Sequence, residues 1–268
     1  MNVRITPDGA RYIRMAAGER QIEPFHLRFL LPWMCRDRVW AWKAATWGGI
    51  AITAASVFLL ARQHGLSDSC SAVAAMLFLG LPSVRFLAKA PILVDGAGWA
   101  CATLSAVLWP IEPIAAVTLC VLGAAISEKV PIFAALFAWT PWLLVGLTIP
   151  LVRAVGWRAG PRAPNEPERS FQELRAMGLR RRASVWRNPA ITVLPWGACL
   201  FALGAPSVWW IAALVIAMGQ LLVAYDSVRL IQMAAPAVCI AAASQIPEAW
   251  ALPVLVAHWV NPFAGEGL

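Results

Sequence analysis

The chain has 268 residues, 60% of them hydrophobic and only 13% charged, with a mean hydropathy of +0.66. Soluble domains are roughly 45–50% apolar and about 25% charged, so this composition excludes an ordinary water-soluble globule, and it excludes disorder, which needs low hydrophobicity. The net charge of +8 comes from 22 Lys and Arg against 14 Asp and Glu. Seven Arg lie in residues 1–38 and nine between Arg153 and Arg187, while the apolar stretches between are nearly bare. Basic loops and bare spans are the charge pattern of a membrane protein, and nucleic acid is not an expected partner.

Residues 1–38 read as an interfacial amphipathic segment with no apolar run of signal-peptide length before Phe29. Asp8-Gly9 predicts a tight turn. Phe25, Phe29 and Leu30 suit anchoring at a membrane interface, with Arg28 facing polar groups. Spanning helices need about 20 mostly apolar residues. Candidates follow at Trp40–Ala61, at Ser71–Ala88 broken by Pro82, at Pro91–Trp109, at Glu112–Ser127 and at Val130–Val152, and together these make a first transmembrane bundle over 39–152. Residues 153–188 form a basic loop, placed in the cytoplasm by the positive-inside rule. Within it, Ser170 and Glu173 fit a capping box opening a short amphipathic helix. A second bundle over 189–268 holds Pro189–Ala205, Pro206–Ala224, Ile231–Ser244 and Trp250–Val260, the last two short enough to be re-entrant or tilted. The expected fold is all-α, a polytopic transmembrane bundle of about seven to nine spans. Counting helices back from the basic loop puts the Arg-rich N-terminus outside, against its charge. Either one hairpin is re-entrant, or a spanning helix belongs ahead of Met1.

Six Cys stand singly with no CxxC pair, so they read as small apolar residues, with no zinc site and no disulfide framework. Ionisable residues at membrane depth are expensive, and each is a functional candidate. Glu112 and Glu248 read as span ends, and His258 as a hydrogen-bonded structural histidine. Arg85, Lys89 and Asp95 fall within eleven residues. Arg85 and Lys89, four apart, share one helix face; they suit either a phosphate group or interfacial snorkelling with Asp95 as counter-ion. Asp226 and Arg229 are an i, i+3 pair.

Asp8-Gly9 with Tyr12, followed by Pro24-Phe25, Arg28 and Leu31-Pro32, resembles the first external loop of bacterial membrane glycosyltransferases of the GT-C type. Asp95-Gly96 opening a helix, Glu128-Lys129 ending a later one, and Tyr225-Asp226 with Arg229 and Pro236 extend the resemblance. It implies transfer of a sugar from a polyprenyl-phosphate donor by an inverting displacement on the outer face. On that footing Asp8 is the general base. Arg28 and Lys129, with Arg85 or Lys89, bind the donor phosphate, while Glu128, Asp226 and Arg229 complete the substrate-binding set. Asp95 acts as a second catalytic acid that orients the acceptor or holds a divalent metal. The alternatives are a non-enzymatic membrane component serving assembly, exclusion or scaffolding, and a transporter, although no repeat of the transporter kind is visible. The enzyme reading requires Asp8, Arg28, Asp95 and Lys129 to converge; the scaffold reading leaves them dispersed. Membrane lipids are partners in every case.

Overall fold

In a computed structural model the structure describes residues 5–19, 27–157, 193–219 and 232–261. The described chain is mostly helical and contains no strand, as an all-α fold requires. Helix α1 is Pro7–Ala16, α2 Leu30–Cys35, α3 Val39–Gln63, α4 Asp68–Gly80, α5 Pro82–Lys89, α6 Asp95–Leu108, α7 Pro113–Ile126, α8 Val130–Phe137 and α9 Thr148–Trp157. Beyond the basic loop come α10 Val208–Gly219, α11 Ala235–Ala243 and α12 Ala251–Trp259. Short 3-10 segments cover Pro141–Leu147, Leu194–Gly204, Gln232–Ala234 and Glu248–Trp250. The capping box at Ser170 and most of the basic loop lie outside the described residues.

Among the described residues one helix, α3, is long and apolar enough to cross a membrane; up to three segments are, when α4 with α5 and α11 with α12 are each taken as one bent span. The 25 residues of α3 rise about 37 Å, which exceeds the roughly 30 Å of a bilayer's hydrocarbon core. Its buried side mixes apolar Trp42, Val57 and Leu60 with hydroxyl side chains. Thr46, Thr53 and Ser56 are buried, while Trp47, Ile52 and Leu59 are exposed. The buried Thr53 hydroxyl donates to Gly49 O at 2.7 Å, which satisfies it inside its own helix. Elsewhere Ile114 is 80% exposed, Leu203 74% and Leu252 73%. Water tolerates extended exposed apolar surface poorly, and lipid accommodates it.

Prolines set the breaks. The residue before a proline is driven out of the helical region. Leu81, ahead of Pro82, is extended at φ −66, ψ 145, and α4 and α5 meet at a 55° bend, at the proline that the sequence marks. Val130–Val152, expected as one span, is instead broken. Thr140 is extended ahead of Pro141, Trp139 has a φ of 50°, and a 3-10 segment intervenes between α8 and α9. Pro91–Trp109 loses its first four residues to irregular backbone, and α6 starts at Asp95. The last two stretches, α11 and α12, meet at 114°, the geometry of a broken span or re-entrant loop.

The chain divides into two compact units, Met1–Ser56 with Phe86–Glu166, and Val57–Arg85 with Pro167–Leu268. In the first, α6 packs on α7 and α8, α7 on α2 and α9, and α1 on α2. Helices α3 and α6 approach so closely that a Cβ on Gly49 would sit 2.5 Å from the carbonyl carbon of Gly96. Small residues at such crossings let helix backbones meet where no hydrophobic driving force separates lipid from protein. Thr46 Oγ1 donates to Pro91 O at 2.6 Å nearby.

In the second unit α11 is buried along its whole length and packs on α4, α10 and the Leu194–Gly204 segment. His258 on α12 is 1% exposed and ties three pieces together. Its Nε2 lies 2.8 Å from Leu77 O, and Ala198 N–H donates to its Nδ1 at 3.2 Å. A neutral ring with its proton on Nε2 satisfies both bonds. Gly197, at φ 50°, turns the backbone toward this ring, and a Cβ there would stand 2.7 Å from Nδ1. His258 is thus the structural histidine its apolar setting implies. His258→Phe leaves a buried carbonyl and a half-buried amide unpaired, and should lower stability by roughly 2–5 kcal/mol. Thermal unfolding in detergent measures this, and an unchanged midpoint would rule out the tie.

Candidate functional site

The polar centre of the first unit assembles around Arg28. Thr6 caps α1: its hydroxyl accepts from Gly9 N–H at 3.0 Å, Pro7 occupies the first turn, and Asp8 follows it. Each of these favours a helix start, so Asp8-Gly9 opens a helix and is not the expected tight turn. Asp8 and Tyr12, four apart, share one face of α1. Gly9 lies against the segment leading into α6, where a Cβ would come 2.9 Å from Ile92 O.

Tyr12 is 1% exposed, and its ring stands 6.0 Å from that of Trp42. Its hydroxyl accepts from Arg28 Nη1 at 2.8 Å. Arg28 also grips Glu128 bidentately, Nε to Oε2 at 2.7 Å and Nη2 to Oε1 at 2.6 Å. Arg28 is 8% exposed, so it is buried and paired within the protein rather than turned to an interface. Burial drives the Glu128 carboxyl up, but the Arg28 charge and hydrogen bonds outweigh this and hold it at about 2. Burial pushes the Tyr12 hydroxyl to about 12, helped by the negative charges of Asp95 and Glu128 and opposed by Arg28. Burial lowers the Arg28 pKa, but Tyr12 and Glu128 outweigh this and raise it well above its ordinary value.

Asp95, in the first turn of α6, is 6% exposed, and its negative charge adds to the upward shift of the Tyr12 hydroxyl. Lys129, half-buried at the start of α8, adds a cation beside Glu128. Asp8 lies 3.7 Å from Arg11 at the edge of this group. Of the predicted residues, Arg28 and Glu128 join Tyr12 in one hydrogen-bonded network, the charge of Asp95 acts on Tyr12 and that of Lys129 on Glu128, and Asp8 stands one turn from Tyr12 on the same helix. Tyr12 belongs to the quoted sequence pattern but is absent from the predicted site set. Its spacing of four from Asp8 is the signal for it once α1 is recognised as a helix.

The other candidates fall elsewhere. Arg85 belongs to the second unit, where Nη2 donates to Gly80 O at 2.8 Å and His258 O at 3.3 Å. It fastens backbone there through this one nitrogen. Lys89 is exposed at the end of α5 and belongs to the first unit. Asp226, Arg229 and Tyr225 lie outside the described residues, as do Pro24 and Phe25. Glu112 stands exposed at the start of α7 with no side-chain capping bond, and the exposed Glu248 accepts from Ser69. The six cysteines are free thiols, four of them buried. Among the described residues no three His, Cys, Asp or Glu side chains come together as a metal site.

The fold and this centre define an all-helical chain with a helix of membrane length and a buried ion-pair cluster. No known family, curated protein or solved structure matches it.

Proposed function

We propose that the chain is a multi-pass integral membrane protein of about seven to nine spans, whose first unit carries a GT-C-like site for transfer of a sugar from a polyprenyl-phosphate donor. One observation supports this reading above the rest: Arg28 joins Glu128, 100 residues away, to Tyr12 in one network, the charges of Asp95 and Lys129 act on that network, and Asp8 is one turn from Tyr12. A spanning protein without a polar task has little reason to concentrate ionisable groups so. The additional spans come from the bent pairs and from the shorter apolar helices Pro113–Ile126, Pro141–Arg153, Leu194–Gly204 and Val208–Gly219.

In this mechanism Asp8 accepts the proton of the acceptor hydroxyl as its oxygen attacks the anomeric carbon. The bond from that carbon to the donor phosphate breaks on the opposite face, which inverts the centre. The departing polyprenyl phosphate takes the electron pair, and Lys129 offsets its charge. Asp95 orients the acceptor. Lys89 is the second cation available to the donor headgroup in the same unit.

The test uses membranes from cells expressing the protein, which supply the acceptor, and a radiolabelled polyprenyl-phosphate hexose. Label should leave the lipid fraction, and Asp8→Asn should slow this roughly 10²–10⁴-fold, the usual contribution of a general base. Label that stays with the lipid at the level of control membranes would end the transferase reading. The second reading, a non-enzymatic membrane component, is favoured by one feature: the Arg28 charge is already matched by Glu128, as in a structural ion pair.

A further inference from the structure

The geometry points to Glu128, Arg28 and Tyr12 as a positioning chain that fixes α1, and Asp8 with it, beside the start of α6, and not as ligands of the donor phosphate. This rests on the reading of Asp8 given above, and it reassigns two residues that the family resemblance places at the substrate.

Helix α1 has ten residues, too few for an isolated helix to be stable in water, since nucleation is unfavourable below roughly 12–15 residues. It therefore depends on what it touches. It rests on α2, on the Ile92 backbone through Gly9, and on Arg28 and Trp42 through Tyr12. Among these contacts, the Arg28 bond comes from a charged donor. Glu128, in the break between α7 and α8, holds two nitrogens of the guanidinium and so aims the third at the tyrosine hydroxyl. The fork geometry that an arginine offers a phosphate is occupied by a carboxylate 100 residues along the chain. For a donor phosphate to use it, Glu128 would have to leave, stranding a half-buried carboxylate. Asp8 is one turn up the same face from Tyr12. What orders Tyr12 thus sets where the Asp8 carboxylate stands.

Three variants in the full-length protein, reconstituted in lipid nanodiscs, separate positioning from binding. Tyr12→Phe removes one hydroxyl and leaves the ring on Trp42. Glu128→Gln removes the charge and keeps the shape. Lys129→Gln removes the cation assigned to the donor. Limited trypsin cleavage at Arg11 and Arg14 reports the docking of α1, with Arg62 in the second unit as the internal control. Tyr12→Phe and Glu128→Gln should each raise cleavage at Arg11 and Arg14 about 10-fold or more, given the usual strength of hydrogen bonds to charged groups. Glu128→Asp should restore part of the protection. Labelling by a photoactivatable polyprenyl phosphate should be unchanged in Tyr12→Phe and should fall in Lys129→Gln.

Unchanged protection of α1 in Tyr12→Phe and Glu128→Gln overturns the positioning role. Loss of photolabelling in Glu128→Gln with α1 still protected overturns it too, because Arg28 would then be answering to the donor. If Glu128→Gln also exposes Arg62, Tyr12→Phe alone decides, since loss of one hydroxyl is mild enough to keep the fold. Wild-type protein that is not photolabelled, yet loses α1 protection in these variants, contradicts the transferase reading and leaves the positioning chain standing.

Discussion

Glu128→Ala should destabilise the protein by about 3–5 kcal/mol, the usual result of removing one partner of a buried ion pair. Arg28 would keep its charge at 8% exposure with its carboxylate gone. The double variant Arg28→Met, Glu128→Leu should recover most of that loss, because removing both charges removes the desolvation penalty as well. Denaturant unfolding of the reconstituted protein compares the three. A single variant within about 1 kcal/mol of wild type would show that Arg28 finds another anion, and the ion pair would not be the anchor described. The acid response has the same origin. The Glu128 carboxyl is held at about 2 against an ordinary 4.5, so it contributes stability that is full above pH 4.5 and is lost as pH falls toward 2. That difference amounts to about 3 kcal/mol at neutral pH. Glu128→Gln should flatten this acid limb, and an unflattened one would assign it to other carboxylates.

The second large effect is steric. Gly49→Ala should destabilise by about 3 kcal/mol, while Gly48→Ala, one residue earlier, should be neutral or stabilise by up to about 1 kcal/mol. Both exchanges gain the same helix propensity. They differ in surroundings. A Cβ on Gly49 meets the Gly96 carbonyl at 2.5 Å and Ala97 N at 2.8 Å, all backbone, whereas nothing lies within 4 Å of one on Gly48. Backbone cannot rotate aside as a side chain can, so α3 and α6 would have to separate. That strains the Thr46 bond to Pro91 O as well. Paired unfolding midpoints decide the matter; equal responses at the two glycines would mean that the helices do not cross there.

Much of the secondary structure was legible because its causes are local. Pro82 breaks a run in the sequence for the same steric reason that it bends α4 from α5. Trp40–Ala61 is apolar but for Lys43 and a few hydroxyl residues, with no proline to break it, and α3 covers it with a residue or two to spare at each end. Val130–Val152 misled because hydropathy averages over Thr140-Pro141, where the backbone leaves the helix although the side chains remain apolar. Asp8-Gly9 misled because a turn and a helix start use the same residues; Thr6 and Pro7 decide between them.

Composition, charge placement and proline positions by themselves determined that this is an all-helical chain with the chemistry of a membrane protein, and where its apolar runs begin and end. These follow from the neighbours of each residue along the chain. Only the tertiary structure decided that Arg28 pairs with Glu128 and Tyr12, that Arg85 fastens backbone, and that His258 closes on Leu77 at a separation of 181 residues. It also grouped residues 57–85 with the C-terminal part of the chain. The reason is physical. An isolated ionisable residue in an apolar sequence announces that it needs a partner, because burying it alone is too costly, but the partner is chosen by which helices pack, and no local period records that choice.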